Sequence, residues 1–310
     1  MRILFMGTPE FAIPSLQILL DHNYPIVSVA TAADKPKGRG REMALSPVKQ
    51  FAVSRKLPIL QPENLKDPQF VRAVRALEAD LIVVVAFRIL PKEIYSLPRL
   101  GAFNLHASLL PKYRGAAPIN WAIIKGESET GVTTFFLQEK VDTGSVILQA
   151  RVRIGAEETA GELHDKLAEV GAEIVFQTVR LIELGKAVTH SQDDQQATPA
   201  PKIFREHCRI DWNNPTSSVH NFIRGLSPSP CAWTTHGGKV LKIYKAQVIQ
   251  SAARGTDSPG TIEEVGPKSL HVATGDSTIS ILEIQQEGKR RMGAEEFLRG
   301  YPLHPGDKFA

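Results

Sequence analysis

Asn104 and His106 stand two residues apart in Ala102-Phe103-Asn104-Leu105-His106. In extended backbone that spacing sends both side chains to one face, so an amide and an imidazole can converge on a single atom. Asp142 follows His106 by 36 positions, in the turn Val141-Asp142-Thr143-Gly144. A carboxylate near an imidazole fixes its tautomer and favours the imidazolium, and the amide adds a further donor. Two such donors aimed at one carbonyl oxygen make an oxyanion site, the chemistry of acyl transfer. No serine or cysteine lies in a Gly-x-Ser-x-Gly setting, which disfavours a covalent acyl-enzyme. Each residue alone also has a plainer reading, His106 as a hydrogen-bonded core histidine and Asp142 as a turn former that bonds its own backbone.

These groups need strands to carry them. Residues 102–106 read as a strand that ends in a proline-stopped loop at 108–111 and leads to a helix-like segment over 116–125. Residues 81–86, a continuous Leu-Ile-Val-Val-Val-Ala run, have the pattern of a parallel strand buried on both faces. Further strands are expected at 3–6, 26–30, 132–137 and 146–154, with helical periodicity between them. That alternation predicts an α/β fold with a doubly wound, mostly parallel sheet, whose carboxyl edge is where ligands and chemistry lie. The turn after the first strand, Gly7-Thr8-Pro9-Glu10-Phe11-Ala12, lacks the second and third glycines of a dinucleotide fingerprint, so NAD binding is rejected. Thr159 and Glu162 have capping-box spacing and open a helix that Gly185 stops.

At 310 residues the chain exceeds the usual single core, and two domains are expected. The polar, proline-bearing stretch 189–201 has no apolar period and reads as the connection. The resulting division is a catalytic domain over 1–188, a linker over 189–205 and a smaller domain over 206–310. The last contains a short helix at 219–223 and β-type runs at 232–235, 240–250, 260–265, 270–274 and 277–284, the pattern of a small barrel.

The net charge of +4 is mild, so only local clusters could indicate nucleic acid. Residues 34–42 hold such a cluster: Lys35, Lys37, Arg39 and Arg41 interleaved with glycine and proline. The loop suits phosphates and equally suits bare solvation, but it follows the second strand, on the edge that carries His106. Lys289-Arg290-Arg291 is either an exposed turn or an extension of the same track. Cys208 and Cys231 form neither a metal spacing nor a disulfide framework and imply a reducing compartment. With no signal-peptide core and no run of membrane length, the expectation is a cytoplasmic protein without a membrane partner.

Asn104-Leu105-His106-Ala107-Ser108-Leu109-Leu110-Pro111, with Asp142 in Asp-Thr-Gly, resembles the signature of the folate-dependent formyltransferases. The likeness spans nearly the whole chain and is greatest to the group that acts on methionyl-tRNA. It is carried by Gly7-Thr8-Pro9-Glu10-Phe11-Ala12, the loop 34–42 with Ser46-Pro47-Val48-Lys49, Ala200-Pro201-Lys202-Ile203 before Ile210-Asp211-Trp212, Ile223-Arg224-Gly225-Leu226, Ala232-Trp233-Thr234, and Gly288-Lys289-Arg290-Arg291-Met292. The resemblance implies a Rossmann-like N-terminal domain and a C-terminal OB-like β-barrel. It also implies 10-formyltetrahydrofolate as donor, no metal, and initiator methionyl-tRNA as acceptor, with the protein a monomer. Asn104, His106 and Asp142 become the catalytic set. Phe87, Ile89, Leu90, Ser108, Leu109, Leu110 and Pro111, with the loop before Asp142, become the folate pocket. Lys35, Lys37, Arg39, Arg41 and Lys202 become tRNA contacts. One departure is Phe87-Arg88-Ile89-Leu90, where many relatives carry Tyr-Gly, which puts Arg88 in the pocket wall. The alternative is a formyltransferase acting on a small amine such as an amino-sugar nucleotide. Those enzymes resemble the first domain alone.

Overall fold

Runs of buried aliphatic residues set the centre of the larger sheet. The computed structural model describes residues 1–37, 42–249, 258–266 and 269–310. Its first ten strands are β1 (Ile3–Gly7), β2 (Ile26–Ala30), β3 (Lys35–Lys37), β4 (Glu42–Ala44), β5 (Ile59–Leu60), β6 (Leu81–Val85), β7 (Ala102–His106), β8 (Arg114–Gly115), β9 (Glu129–Phe136) and β10 (Val146–Arg153). Between and after them lie α1 (Ile13–Asp21), α2 (Pro47–Ser54), α3 (Pro68–Ala76), α4 (Lys92–Tyr95), α5 (Pro118–Ile124) and α6 (Ala160–Glu183). Every residue of β1 and β6 is buried, as strands covered on both faces require.

The seven-stranded sheet has the order β10-β9-β7-β6-β1-β2-β5. β5, β2, β1, β6 and β7 run parallel, and β9 runs antiparallel to β7. This is the mostly parallel arrangement that the alternation of strands and helices predicts, and the Rossmann-like one that the resemblance implies. Leu4, Met6, Ala30, Ile82 and Val84 form one buried face of it with Phe70, Val74 and Ile94 from α3 and α4. Helix starts follow local chemistry. Ser46 Oγ accepts the Lys49 amide at the start of α2 and Asp67 accepts that of Gln69 at α3, each before a proline at the first helical position. The Thr159–Glu162 capping box forms in both directions at α6, with Thr159 N–H donating to Glu162 Oε2 (2.8 Å) and Glu162 N–H to Thr159 Oγ1 (3.3 Å).

Part of the basic stretch expected as a loop is strand. Residues 35–37 pair antiparallel with 42–44. Arg39 and Arg41 lie outside the described residues.

The remaining elements are β11 (Pro199–Ala200), α7 (Thr216–Leu226), β12 (Ala232–His236), β13 (Lys239–Val248), β14 (Ile262–Val265), β15 (Leu270–Ala273), β16 (Thr278–Gln286), β17 (Met292–Gly293) and α8 (Ala294–Gly300). The order β12-β13-β16-β15-β14, with β17 on β16, makes an antiparallel sheet. Its buried residues, among them Leu241, Ile243, Val272, Ile279 and Ile281, enclose a second core with Val219, Ile223 and Leu226 of α7 and Phe297 of α8.

Contacts group the chain into two units that interleave in sequence. One comprises 1–115, 130–152 and 164–199, and the other 116–129, 153–163 and 200–310. Within the second, α5 packs on α7 closely enough that a Cβ on Gly225 would stand 2.7 Å from Ile124 Cγ1. Asn120 Nδ2 also donates to the Gly225 carbonyl there (2.8 Å). Cys208 and Cys231 are both buried and unpaired. Burial pushes the Cys231 thiol up to about 11 and moves that of Cys208 in the same direction. Among the described residues no helix is long and apolar enough to cross a membrane.

Candidate active site

β7 presents its functional side chains by strand alternation. Asn104 pairs with Val84 of β6 and Phe135 of β9, and His106 lies opposite Thr133 of β9. His106 is buried (6% exposed) and Asn104 is half-buried. The Asn104 amide makes no hydrogen bond among the described residues. It is a donor held in place by its strand and left available to a ligand.

The loop after β7 holds the ring. His106 Nε2 lies 2.8 Å from the Tyr113 carbonyl oxygen, which can only accept, so Nε2 carries a proton and Nδ1 is the atom left for chemistry. Nδ1 stands 3.9 Å from Asp142 Oδ2, too far for a direct hydrogen bond and close enough for both to address one further atom. Gly115 N–H donates to that same Oδ2 at 3.0 Å. One short stretch, 113–115, therefore engages the ring through a carbonyl and the carboxylate through an amide. Tyr113 and Asp142 both have positive φ, 60° and 55°, a region sparsely populated for residues with a side chain.

The loop 108–111 is held by Thr133. Its hydroxyl donates to the Ser108 carbonyl (2.6 Å) and accepts from Leu110 N–H (3.1 Å) and Gln149 Nε2 (3.0 Å). Of the residues expected around folate, Leu90, Ser108 and Leu110 are buried, and the Ser108 hydroxyl donates to the Lys112 carbonyl at 2.6 Å. Those three can offer a ligand little beyond backbone. Leu109, Pro111 and Phe87 are half-buried, while Ile89 is 72% exposed. Residues 86–90 and 107–111 leave the adjacent parallel strands β6 and β7 at one edge of the sheet. Arg88 is held by donation to the carbonyls of Glu63 (2.8 Å) and Pro62 (2.6 Å), with its guanidinium over the Phe87 ring.

Of the expected RNA contacts, Lys35 and Lys37 lie in β3, and Lys202 places its ammonium 5.1 Å from the centre of the Phe204 ring. In the other basic cluster, Arg290 pairs with Glu296 and Arg291 with Glu283. Among the described residues no group of three or more His, Cys, Asp and Glu side chains can hold a metal ion.

Sequence reasoning missed Gln192 and Arg114. Gln192 Nε2 donates to the carbonyls of Asp142 (2.9 Å) and Gly144 (2.8 Å), and Arg114 donates to Gln192 Oε1 through Nε (3.1 Å) and Nη2 (2.7 Å). Gln192 sits in a polar tract without periodicity, where nothing in the residue type marks it out.

Comparison with known proteins bears on this site. Residues 1–179 match the family model described as formyl transferase, and residues 202–302 match that of the formyl transferase C-terminal domain. A methionyl-tRNA formyltransferase of Chlorobium phaeovibrioides is 50% identical, with 100% of this chain and 98% of that protein covered. One from Bacteroides fragilis is 48% identical over 98% of this chain and 96% of its own. Among solved structures, WlaRD, a sugar 3N-formyl transferase, superposes with a TM-score of 0.68 at 20% identity, covering 94% of this chain and 99% of that one. HypX from Aquifex aeolicus, in complex with tetrahydrofolic acid, gives 0.67 at 19% identity, covering 100% of this chain and 50% of its own. These structural matches show a shared fold, and the sequence matches show more: the chain belongs to the formyl transferase family.

Proposed function

We propose that this protein transfers the formyl group of 10-formyltetrahydrofolate to the free α-amino group of methionine on initiator methionyl-tRNA, for translation initiation. The observation that carries the reading is the approach of His106 Nδ1 to Asp142 Oδ2 at 3.9 Å beside an unengaged Asn104 amide. It occurs in a chain whose relatives near 50% identity, matched end to end, bear the name methionyl-tRNA formyltransferase.

The amine nitrogen attacks the formyl carbon, the bond from that carbon to N10 of the folate breaks, and the proton lost by the amine passes to N10. The oxygen that gains charge during attack is met by the Asn104 amide and by protonated His106 Nδ1. Asp142 holds the ring's charge in place and relays the proton, directly or through water. Ile89, 72% exposed, offers uncovered apolar surface of the kind a flat aromatic ligand requires, with half-buried Phe87 nearby in sequence. With Leu90, Ser108, Leu109, Leu110 and Pro111 they form the folate-binding set in this reading. Lys35, Lys37, Arg39, Arg41 and Lys202 meet the RNA backbone. Residues 1–188 form the catalytic region, 189–205 the connection and 206–310 the RNA-binding region of a cytoplasmic monomer that needs no metal and no membrane.

The test incubates the protein with 10-formyltetrahydrofolate and either methionyl initiator tRNA or an amino-sugar nucleotide. Formylation of the tRNA is expected. Formylation of the sugar nucleotide alone replaces this reading with the small-amine one.

A further inference from the structure

Asp142 reaches His106 by an indirect path. β9 runs antiparallel to β7, with Phe136 opposite Phe103 and Thr133 opposite His106. The turn after β9 therefore leaves the sheet at the end of β7 remote from His106, and it must double back by about 10 Å, three residues of strand, to bring Asp142 to the ring. A turn that leaves a ladder has no sheet bonds to hold it. Asp142 also has a positive φ of 55°, and the turn's own side-chain bonds, Gln138 Nε2 to Thr143 Oγ1 (2.6 Å) and Thr143 Oγ1 to the Lys140 carbonyl (2.9 Å), leave the Asp142 carbonyl to a partner from outside the turn.

Gln192 is that partner. Its two amide hydrogens go to the carbonyls of Asp142 and Gly144, which lie on either side of Thr143. Its oxygen accepts two donors of Arg114, and Arg114 Nη2 pairs with Asp194 Oδ1 at 2.7 Å. Arg114 in turn lies between Tyr113, whose carbonyl orients His106, and Gly115, whose amide holds the Asp142 carboxylate. Thr198 fixes the same stretch from the other side. Its hydroxyl accepts Tyr113 N–H (2.9 Å) and its carbonyl accepts Arg114 N–H (2.9 Å). At its start the segment is tied to β10, where His190 and Val146 exchange both backbone hydrogen bonds (2.8 and 2.9 Å).

We propose that residues 190–198 act as a strap that sets the separation of His106 and Asp142, with Gln192 as its positioning residue. The proposal rests on the reading of Asp142 as a catalytic group. Gln192 acts through the turn it holds. Only an amide of this length does the task, since a carboxylate cannot donate to two carbonyls and asparagine is one methylene shorter.

Formylation kinetics of the full chain test it in four variants: Gln192→Ala, Gln192→Glu, Asp142→Asn, and Asp142→Asn combined with Gln192→Ala. Gln192→Ala is expected to lower kcat about tenfold, with KM for the folate and for the tRNA each changing less than about twofold. Gln192→Glu is isosteric, so it serves as the test if the alanine variant does not fold, and it is expected to lose at least as much. In the Asp142→Asn background the same alanine change is expected to lower kcat less than about twofold, because the group it positions is already gone. Losses that multiply in the double variant, or a fall in thermal midpoint with both KM values rising together, mean a merely structural role and overturn the strap. Wild-type kcat in both Gln192 variants, beside a loss in Asp142→Asn, overturns the strap alone. Wild-type kcat in Asp142→Asn overturns the catalytic reading of Asp142 and the strap with it.

Discussion

His106 has one ring nitrogen committed to the Tyr113 carbonyl, and that bond decides which nitrogen is left for a ligand. A ring so oriented can meet a ligand only through Nδ1, which stands 3.9 Å from the Asp142 carboxylate. His106→Ala and Asn104→Ala are therefore each expected to lower kcat about 100-fold or more, the loss associated with removing one oxyanion donor. Measured kcat above about a tenth of wild type in the histidine variant would remove it from that role. At this scale the sequence was informative where spacing alone decides geometry, as for Asn104 and His106, which one strand must project together. It was silent on Gln192, Arg114 and Thr198. Their roles depend on which carbonyls lie within hydrogen-bond reach, and that is settled only once distant turns have met. Arg88 sits beside Phe87 as its sequence position requires, but its fork is satisfied by two carbonyls of the segment after β5.

Among the elements, the turn from β9 to β10 is the one whose backbone the site depends on most. Gly144 lies so close to β9 that a Cβ there would stand 1.7 Å from the Phe136 carbonyl oxygen. No rotamer relieves a clash with backbone, so Gly144→Ala has to displace the turn and Asp142 with it. The expected result is a kcat lowered at least about tenfold with folate affinity retained. Activity and folate-binding assays on one preparation check both halves, and equal losses in the two would place the damage elsewhere. Strand identities were legible because runs such as 81–85 admit little else, and the capping box at Thr159 announced α6. The doubling back of the Asp142 turn was not legible, since it follows from the antiparallel register of β9, which no local pattern specifies. The pairing of 35–37 with 42–44 escaped for a related reason: proline and lysine read as loop until their partner strand is known.

For the molecule as a whole, a net charge of +4 over 310 residues is too small to attract RNA generally, so recognition has to rest on local clusters. Neutralising Arg39 is expected to raise KM for tRNA, leave folate affinity unchanged, and flatten the dependence of log KM on log salt by roughly one unit for each phosphate no longer neutralised. Titrating salt with wild type and Arg39→Ala side by side measures this, and an equal loss of folate affinity would refute the assignment. Two cores were foreseeable from length, but the interleaving of their residues in sequence was not. Residues 116–129 and 153–163 join the C-terminal residues because α5 packs on α7 through Gly225 and Gly161 N–H donates to the Ser227 carbonyl at 3.0 Å.

Both native cysteines are buried, with thiols held well above neutrality. Maleimide dyes react with exposed thiolates, so a cysteine introduced at a chosen surface position becomes the one fast-reacting handle on the chain. Fluorophores can then be attached site by site to follow donor and RNA arrival, with Cys208 and Cys231 left in place.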